Sequence, residues 1–457
     1  MMVALPLMVL WFGALGVALF DGTRRPVGYA AVGVLIAALG AVVPLGVKVY
    51  RDGSQSMSIG GWEPGIGITL RVDMLGIVFA VVTLVVLLAA LWFEVSRDVK
   101  ARIFPALVVF MGLGLTGAFF TGDAFNFYVF FEISMITAYV MTSYGESPRQ
   151  FRAALIFMVV NLLGSVLFLV GIASMYHNTG WLDMQEIAAR MPVVHDNPAI
   201  LTATIIFVAL STKLGLFPFH FWLPAVYTGT RPAVAAILSG ALANIGTYGL
   251  VRFGADIFPR ELQEGSSIIV VFGAISIVYG GVQAIGRHNP NEVLAYSSIG
   301  QVGYIMIALA IGGHDGYTAA ILYAVINALN KLLLFLSVSL RGWIAGTTFA
   351  VGAFSLAGVP PAGGFFGKML VLQAGVDGHR WLVVALMFVG GALSFIYMFQ
   401  LYRARFWVNQ EADEATTRWA LVLVLGVALS LVAIGMYPHP LIAITARAAE
   451  SLQGASP

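Results

Sequence analysis

The sequence has no cysteine among its 457 residues, and only 10% of the residues are charged. Without cysteine the chain can form no disulfide and can hold no thiolate-bound iron–sulfur cluster. Its seven histidines have no metal-site spacing, and no phosphate-binding glycine loop stands between a strand and a helix. We therefore expect no metal, no cofactor and no enzymatic activity of the chain by itself. Redox chemistry or nucleotide hydrolysis, if coupled to it, would belong to a partner protein.

The chain is instead rich in apolar residues. They account for 60% of the chain, and the mean hydropathy is +0.91. A soluble domain carries about 25% charged residues, so the composition indicates a polytopic membrane protein. The formal net charge of +2 and the lack of a basic run exclude an ordinary nucleic-acid binder. The first twenty residues lack the basic start of a signal peptide, so we expect them to remain as the first membrane span.

Apolar runs of about 20 residues, bounded by polar clusters, predict fourteen transmembrane helices in an all-α fold. The longest links, 51–72 and 176–198, have room for short hairpins or interfacial helices at most. The predicted spans are 3–20, 28–50, 73–93, 103–121, 124–143, 152–175, 199–230 (broken), 233–254, 266–285, 293–312, 317–340, 347–375 (broken), 381–402 and 419–437.

Arginine and lysine residues in the links predict the orientation. Thirteen of them follow odd-numbered helices and eight lie on the other side. Basic residues favour the cytoplasmic side, so we expect a multi-pass protein of the cytoplasmic membrane with both termini outside.

Four ionisable residues lie well inside the predicted spans, away from the links and from the helix ends. They are Lys213, Lys331, Lys368 and Glu132. A charge at that depth costs at least a few kcal/mol and usually marks an ion or proton pathway. Two alternatives remain open: Lys213 could snorkel to a nearby surface, and Glu132 with Lys213 could be a static ion pair.

Two of these lysines stand beside prolines that break their helices. Pro218 and Pro224 follow Lys213, and Pro360 and Pro361 precede Lys368. Proline removes a backbone hydrogen bond, and transporters build ion sites at such breaks. His220, in the first break, is a candidate proton relay or a side chain satisfied by freed carbonyl groups.

An internal repeat relates the two halves of the chain. Residues 153–172 match 319–338 at an offset of 166, and the segment ending at 139 matches the one ending at 304 at an offset of 165. The offset covers five helices, an odd number, so the second copy enters the membrane from the opposite side.

We therefore expect an N-terminal segment, two inverted five-helix repeats (helices 4–8 and 9–13) and a final helix with a tail. The corresponding ranges are 1–98, 99–256, 264–406 and 407–457.

Four segments now carry a family resemblance: TKLGLFPFHFWLPAVYTGTRPAVAAILSG, NEVLAYSSIGQVGY, NALNKLLLFLS and SLAGVPPAGGFFGK. They resemble the antiporter-like proton-channel subunits of respiratory complex I, membrane-bound hydrogenases and Mrp sodium/proton antiporters. GDAFNFYVFFEISMITAYV is most similar to the D-type subunits of Mrp antiporters. The resemblance implies two linked half-channels in which Glu132, Lys213, Lys331 and Lys368 move protons.

The sequence departs from the family pattern near the expected pathway. Asn244 stands where relatives usually carry lysine or histidine, and Tyr323 and Asn327 replace common histidines. With Asn330 beside Lys331, these residues are candidate relays, and they leave open whether proton transfer is continuous.

The resemblance implies a proton-conducting subunit of a multisubunit monovalent cation (Na⁺)/H⁺ antiporter, with other membrane subunits and lipid as partners. A pump subunit of a complex I-like assembly or a membrane hydrogenase, a subunit for inorganic-carbon uptake, and a scaffold whose charges only hold helices together are the alternatives.

Overall fold

The computed structural model describes residues 2–61, 67–145, 147–408 and 418–452, and these ranges are almost entirely helical. Its α-helices are α1 (Leu5–Ala18), α2 (Arg25–Asp52), α3 (Met74–Arg97), α4 (Phe104–Phe120), α5 (Ala124–Thr142), α6 (Pro148–Thr179), α7 (Met184–Arg190), α8 (Asp196–Leu214), α9 (Trp222–Gly229), α10 (Pro232–Ile237), α11 (Ala243–Val251), α12 (Pro259–Glu264), α13 (Ser266–Ile285), α14 (Pro290–Ile311), α15 (Gly313–Ser337), α16 (Trp343–Ala357), α17 (Gly364–Asp377), α18 (Trp381–Tyr402), α19 (Arg418–Met436) and α20 (His439–Glu450).

The prediction of an all-helical, multi-pass membrane protein is confirmed. Eleven helical stretches of the described chain are long and apolar enough to cross a membrane, and three shorter apolar helices accompany them. In hydrocarbon, a helix is one of the few folds that satisfies every backbone polar group internally. Part of the predicted final segment, residues 409–417 and 453–457, lies outside the described residues.

Several spans begin at a side chain that caps the exposed backbone amides. Asp73 accepts a hydrogen bond from the Gly76 amide at the start of α3, at 2.9 Å. Asp123 does the same for the Asn126 amide at the start of α5, at 2.6 Å. Such caps satisfy amides that have no partner inside the helix, so the polar clusters that bound the apolar runs fix where the helices start.

Two membrane spans are interrupted. α8 ends at Gly215, whose φ of 74° is left-handed, and the chain becomes helical again at α9. α16 ends in the same way at Gly358, with a φ of 82°, before α17 begins. The left-handed conformation is open to glycine because it has no Cβ. Each interruption leaves backbone groups without helical partners in the middle of a span.

Three of the four prolines proposed to break helices lie in these interruptions. Pro218 falls between α8 and α9, and Pro360 and Pro361 fall between α16 and α17. Pro224 does not: it lies in the first turn of α9. A proline is tolerated there because amides of the first turn have no intrahelical partner. Its placement at the break was wrong by a few residues.

The links that were expected to hold only small elements do so. Strand β1 (Gln55–Ser58) pairs antiparallel with β2 (Thr69–Val72) in the first long link. The second long link carries the two-turn helix α7. An element without a sequence prediction is α20, an amphipathic helix that packs against α15 and α3.

The central helices differ from the outer ones in how completely they are buried. α3, α14, α15 and the helix formed by α10 and α11 are buried almost throughout, whereas α2, α6, α18 and α19 present most of their surface. A helix that is apolar all round suits either a protein core or a lipid contact, so hydropathy alone does not separate the two. The burial places α15, which carries Lys331, in the centre of the described bundle.

Candidate functional site

The Lys213 side chain ends inside the protein. It stands in the last turn of α8 and is buried. Its ammonium group donates to the Asn161 carbonyl and, at 2.8 Å, to the Ser165 hydroxyl of α6. It also lies 4.6 Å from the centre of the Phe131 ring. In this structure the amine is held by α5 and α6 and is buried within the protein.

Glu132, which follows Phe131 on α5, forms no ion pair with the Lys213 amine. No carboxylate oxygen lies within 4.0 Å of the Lys213 amine in the described ranges. Glu132 is half-buried, and its Oε1 has no hydrogen-bond partner there. The proposed pair is therefore open in this conformation, with Phe131 rather than Glu132 against the ammonium.

His220 lies in the interruption after α8. Its ring packs against Phe217, with centroids 5.4 Å apart, and against Tyr279 of α13 at 4.7 Å. The side chain is buried, and Nδ1 has no hydrogen-bond partner in the part of the chain that the structure describes. The alternative that freed carbonyl groups satisfy this nitrogen has no support in the geometry.

Lys331 is held at the centre of the bundle. Its amine donates to the Ser297 hydroxyl at 2.8 Å and to the Leu294 carbonyl at 3.4 Å, both on α14. Its neighbours Asn327 and Asn330 each have a buried Oδ1 without a hydrogen-bond partner within the described ranges. A buried amide oxygen without a partner costs about 1–3 kcal/mol, so each of these two oxygens favours a hydrogen-bond donor.

Lys368 lies at the second interruption. It lies in the first turns of α17, and its amine donates at 3.2 Å to the carbonyl of Ala357, the last residue of α16. The same amine lies 4.6 Å from the centre of the Tyr304 ring. A Cβ at Gly358 would come 2.7 Å from Cδ of Lys368, so the glycine leaves room for the lysine stem. The lysine thereby satisfies a backbone group that the break sets free.

Asn244 lies on the helix that separates Lys213 from Lys331. Its amide nitrogen donates to the Gly240 carbonyl at 2.9 Å. Gly240 lies in a π-helical turn (Leu238–Leu242) that joins α10 to α11. A Cβ at Gly240 would approach the Ala328 carbonyl of α15 at 2.9 Å, and one at Gly246 would approach Leu214 of α8 at 3.2 Å. The two glycines let this helix pack tightly between the two lysine-bearing helices.

The three buried lysines do not form one cluster. Lys331 and Lys368 both contact α14, whereas Lys213 contacts α5 and α6. Tyr323, on α15, donates its hydroxyl to Gln301 Oε1 on α14, on the side of the bundle that holds the second and third lysines. The site therefore has one part around Lys213 and another around α14, with Asn244 between them.

Two buried charge clusters escaped the sequence analysis. Arg252 pairs with Asp73 at 2.6 Å and with Asp256 at 2.7 Å. Glu94 accepts a 2.7 Å contact from Arg231, and at 3.1 Å a hydrogen bond from Tyr144. The sequence analysis assigned these residues no site role because they lie in links or near the ends of apolar runs. The four-residue spacing of Arg252 and Asp256 was the one available signal, since such residues meet on a helix face.

The two kinds of site differ in chemistry. Each arginine is neutralised by a carboxylate, as is usual for a charge that fixes helix packing. Each of the three lysines is held only by neutral oxygens and an aromatic face or a neighbouring helix, with no carboxylate within 4.0 Å in the described chain. Such an ammonium group can give up its proton without leaving a buried carboxylate unpaired. The lysines, and not the arginines, are therefore suited to carry protons.

Comparison with known sequences decides the family. Residues 121–342 and 342–394 match the transmembrane family described as NADH:quinone oxidoreductase/Mrp antiporter. The chain belongs to this family. Its resemblance to the antiporter-like subunits is thereby confirmed.

Relatives of known sequence and structure agree with the assignment. The D-type subunit of the Na(+)/H(+) antiporter of Alkalihalophilus pseudofirmus is 30% identical over 409 residues, which cover 85% of this chain and 82% of the relative. A chain of the Mrp complex from Dietzia sp. DQ12-45-1b superimposes with a TM-score of 0.90 at 24% identity, covering 99% of this chain and 97% of that one. A chain of respiratory complex I from Thermus thermophilus gives a TM-score of 0.80 at 24% identity, covering 96% and 99%. The two structural matches show that this chain shares the fold of those two chains.

Proposed function

We propose that this chain is a proton-translocating membrane subunit of a multisubunit monovalent cation (Na⁺)/H⁺ antiporter in the cytoplasmic membrane. The observation that carries the proposal is the set of three buried lysines, each held by neutral oxygens, in a protein of the antiporter family. The D-type antiporter subunit of Alkalihalophilus pseudofirmus, similar over most of both chains, supports the choice of complex. The partners are then other membrane subunits of that antiporter, and the chain by itself is a transporter component rather than an enzyme.

The proposed pathway uses Glu132, Lys213, Lys331 and Lys368 in that order. Glu132 approaches and leaves the amine of Lys213, so that the proton is held when they pair and released when they separate. Release passes the proton across the helix of Asn244 to Lys331, and Lys368 delivers it to the opposite side. Each step needs hydrogen-bond reach or one intervening water. Candidate relays along the pathway are His220, Asn244, Tyr323, Asn327 and Asn330.

The proposed architecture is fourteen spans with two inverted five-helix repeats. Eleven long and three shorter apolar helices in the described ranges support the count. Interruptions at Gly215 and Gly358, each beside a buried lysine, support the pairing of the seventh and twelfth spans. The segment bounds are 1–98, 99–256, 264–406 and 407–457, with both termini outside the cell.

A transport assay tests the proposal directly. Lys213→Ala and Lys331→Ala are made in the complete complex, expressed in a host without its own sodium/proton antiporters, and everted vesicles are prepared. Sodium-driven proton movement is followed with a pH-sensitive dye. Both variants should abolish transport while the complex still assembles, and Lys100→Ala, which changes an exposed lysine in a link, should transport normally. Normal transport by both membrane-lysine variants would refute the channel and favour a scaffold.

A complex I-like pump is the second candidate, because the matching family also covers NADH:quinone oxidoreductases. The proteins that co-purify with this chain separate the readings. Small membrane subunits support the antiporter, quinone or hydrogenase modules support the pump, and a soluble zinc protein would indicate inorganic-carbon uptake.

A further inference from the structure

A row of buried hydroxyl groups lies between Lys331 and Lys368. It is formed by Ser297 and Tyr304 of α14 and by Ser394 and Tyr397 of α18. All four side chains are buried. The row continues from the Ser297 hydroxyl, which accepts the hydrogen bond of the Lys331 amine at 2.8 Å. Ser297 is thus the member of the row that contacts the second lysine of the pathway directly.

The Tyr397 hydroxyl is the middle member of the row. It donates to the Ser394 hydroxyl at 3.2 Å and accepts from the Gln301 amide at 3.3 Å. Ser297 lies one helical turn before Gln301 on α14, so its hydroxyl is on the same helix face as the Gln301 amide. Tyr323 holds the other end of the Gln301 amide, so the amide is fixed and the Tyr397 hydroxyl is aimed along the row.

Tyr304, the last member of the row, lies against the third lysine with its ring. The Tyr304 hydroxyl lies against Gly390, where a Cβ would collide with it. Ser394, one turn later on α18, donates to the Gly390 carbonyl at 2.7 Å, so it lies on the same face of α18 as the glycine that the Tyr304 hydroxyl contacts. The Tyr304 hydroxyl has no hydrogen-bond partner within the described ranges. The ring of the same tyrosine carries the Lys368 amine 4.6 Å from its centre.

We propose that Tyr397 is the central hydroxyl of a proton relay that joins Lys331 to Lys368 through Ser297, Ser394 and Tyr304. A hydroxyl group donates one proton and accepts on its oxygen. Each hydroxyl in turn receives one proton on its oxygen and releases the proton it held to the next oxygen. One proton leaves the Lys331 ammonium, one reaches the Lys368 amine, and the hydroxyl groups then rotate back. No bond to carbon changes and no oxidant or reductant is needed.

The relay rests on the proposed function, because it assumes that Lys331 and Lys368 carry protons. It assigns a positioning and relay role to α18, a helix on which the sequence analysis placed no site residue. It also fits a region where the side chains are buried, since a continuous water chain is not required between the two lysines.

Tyr397→Phe tests the relay because it removes the hydroxyl and keeps the ring. In everted vesicles holding the complete complex, sodium-driven proton movement should fall about a hundredfold or more, in the range expected for the loss of a proton-transfer group. Tyr402→Phe, the same change on the same helix at a partly exposed side chain away from the row, should leave the rate unchanged. The rate ratio between H₂O and D₂O should rise in Tyr397→Phe, because proton transfer becomes limiting. A purely structural tyrosine would not change that ratio.

A second variant keeps the test valid if Tyr397→Phe fails to assemble. Ser394→Ala removes the next hydroxyl and should slow transport to a similar degree, and Ser394→Thr, which keeps a hydroxyl, should restore part of the rate. Transport within about twofold of wild type in an assembled Tyr397→Phe or Ser394→Ala complex overturns the relay, since a lost proton-transfer group costs far more. If Lys331→Ala is inactive in that experiment, the relay is wrong and the proposed proton-translocating function is retained. If Lys331→Ala is also active, both proposals are wrong.

Discussion

Replacing Lys331 by methionine should make the protein more stable and inactive at the same time. The lysine is 1% exposed, and an ion removed from water costs several kcal/mol in a real protein. Its 2.8 Å hydrogen bond to Ser297 returns about 1.5–3 kcal/mol, and the 3.4 Å contact with the Leu294 carbonyl is longer than a normal hydrogen bond and returns little. Methionine has a similar length and no charge. Lys331→Met therefore removes the cost of burying the charge, which is larger than the hydrogen-bond free energy lost with it.

The substitution leaves no new orphan group on the neighbouring helix. The Ser297 hydroxyl already donates to the Leu294 carbonyl at 3.0 Å, so it stays satisfied without the lysine. We therefore expect the free energy of unfolding to rise by about 1–2 kcal/mol, within the range seen when buried ionic groups are replaced by apolar ones. Unfolding in detergent, by heat or by added SDS, measures the change. Lys48→Met removes an exposed lysine of α2 and should alter stability by no more than about 0.5 kcal/mol.

Transport in the same variants completes the test. Lys331→Met should abolish sodium-driven proton movement, and Lys331→Arg should do so as well, because arginine keeps its charge but does not release its proton. A loss of stability above about 1 kcal/mol in Lys331→Met would mean that the lysine holds helices together, as a buried charge with a needed partner does. That result, or transport by Lys331→Arg at the wild-type rate, would refute the reasoning.

Three further substitutions test the charged groups near the helix ends. Arg252→Met should lower the free energy of unfolding by about 3 kcal/mol, because it leaves the buried carboxylate of Asp73 without its partner; adding Asp73→Asn should recover part of the loss, as measured by unfolding in detergent. Glu94→Gln should cost only about 1 kcal/mol, because Arg231 is 27% exposed and can be hydrated. Burial raises the pKa of Asp123 above its ordinary 3.8, against the opposing effect of its backbone hydrogen bonds. The folded protein then holds this proton more tightly than the unfolded chain, so stability falls as pH rises through that window. Asp123→Asn keeps a capping oxygen and should be more stable than wild type at neutral pH, with the difference vanishing in acid.

Each of these substitutions has an outcome that contradicts it. An unchanged midpoint in Arg252→Met would mean that the ion pair adds nothing to stability. A loss as large as that of Arg252→Met in Glu94→Gln would show that exposure does not limit the cost. A stability difference in Asp123→Asn that is constant with pH would exclude the buried carboxyl as its source.

The sequence located the buried lysines because a charge within an apolar run can be read without a structure. It could not identify their partners. Ser297 and Leu294, which accept the hydrogen bonds of Lys331, are more than thirty residues away in sequence. Likewise, nothing in the sequence placed the ring of Phe131, rather than the carboxylate of Glu132, against the amine of Lys213.

Residues at the ends of spans were read less well than residues in the middle. Arg252 and Glu94 lie near the ends of predicted spans and were given no site role, yet both are buried in ion pairs. Hydropathy marks the edge of an apolar run to within a few residues, and a polar residue at that edge can face either water or a partner helix. Only the packing of the neighbouring helices decides between the two.

The sequence alone determined that the chain crosses a membrane many times, that two spans are interrupted near lysines, and which family it resembles. These properties follow from local composition and order. The tertiary structure decided that Lys331 and Lys368 meet on α14 while Lys213 does not, and that Tyr397 of α18 lies against Gln301. The physical reason is that hydrogen bonds form within about 3 Å, and residues far apart in sequence come that close only when the folded helices pack together.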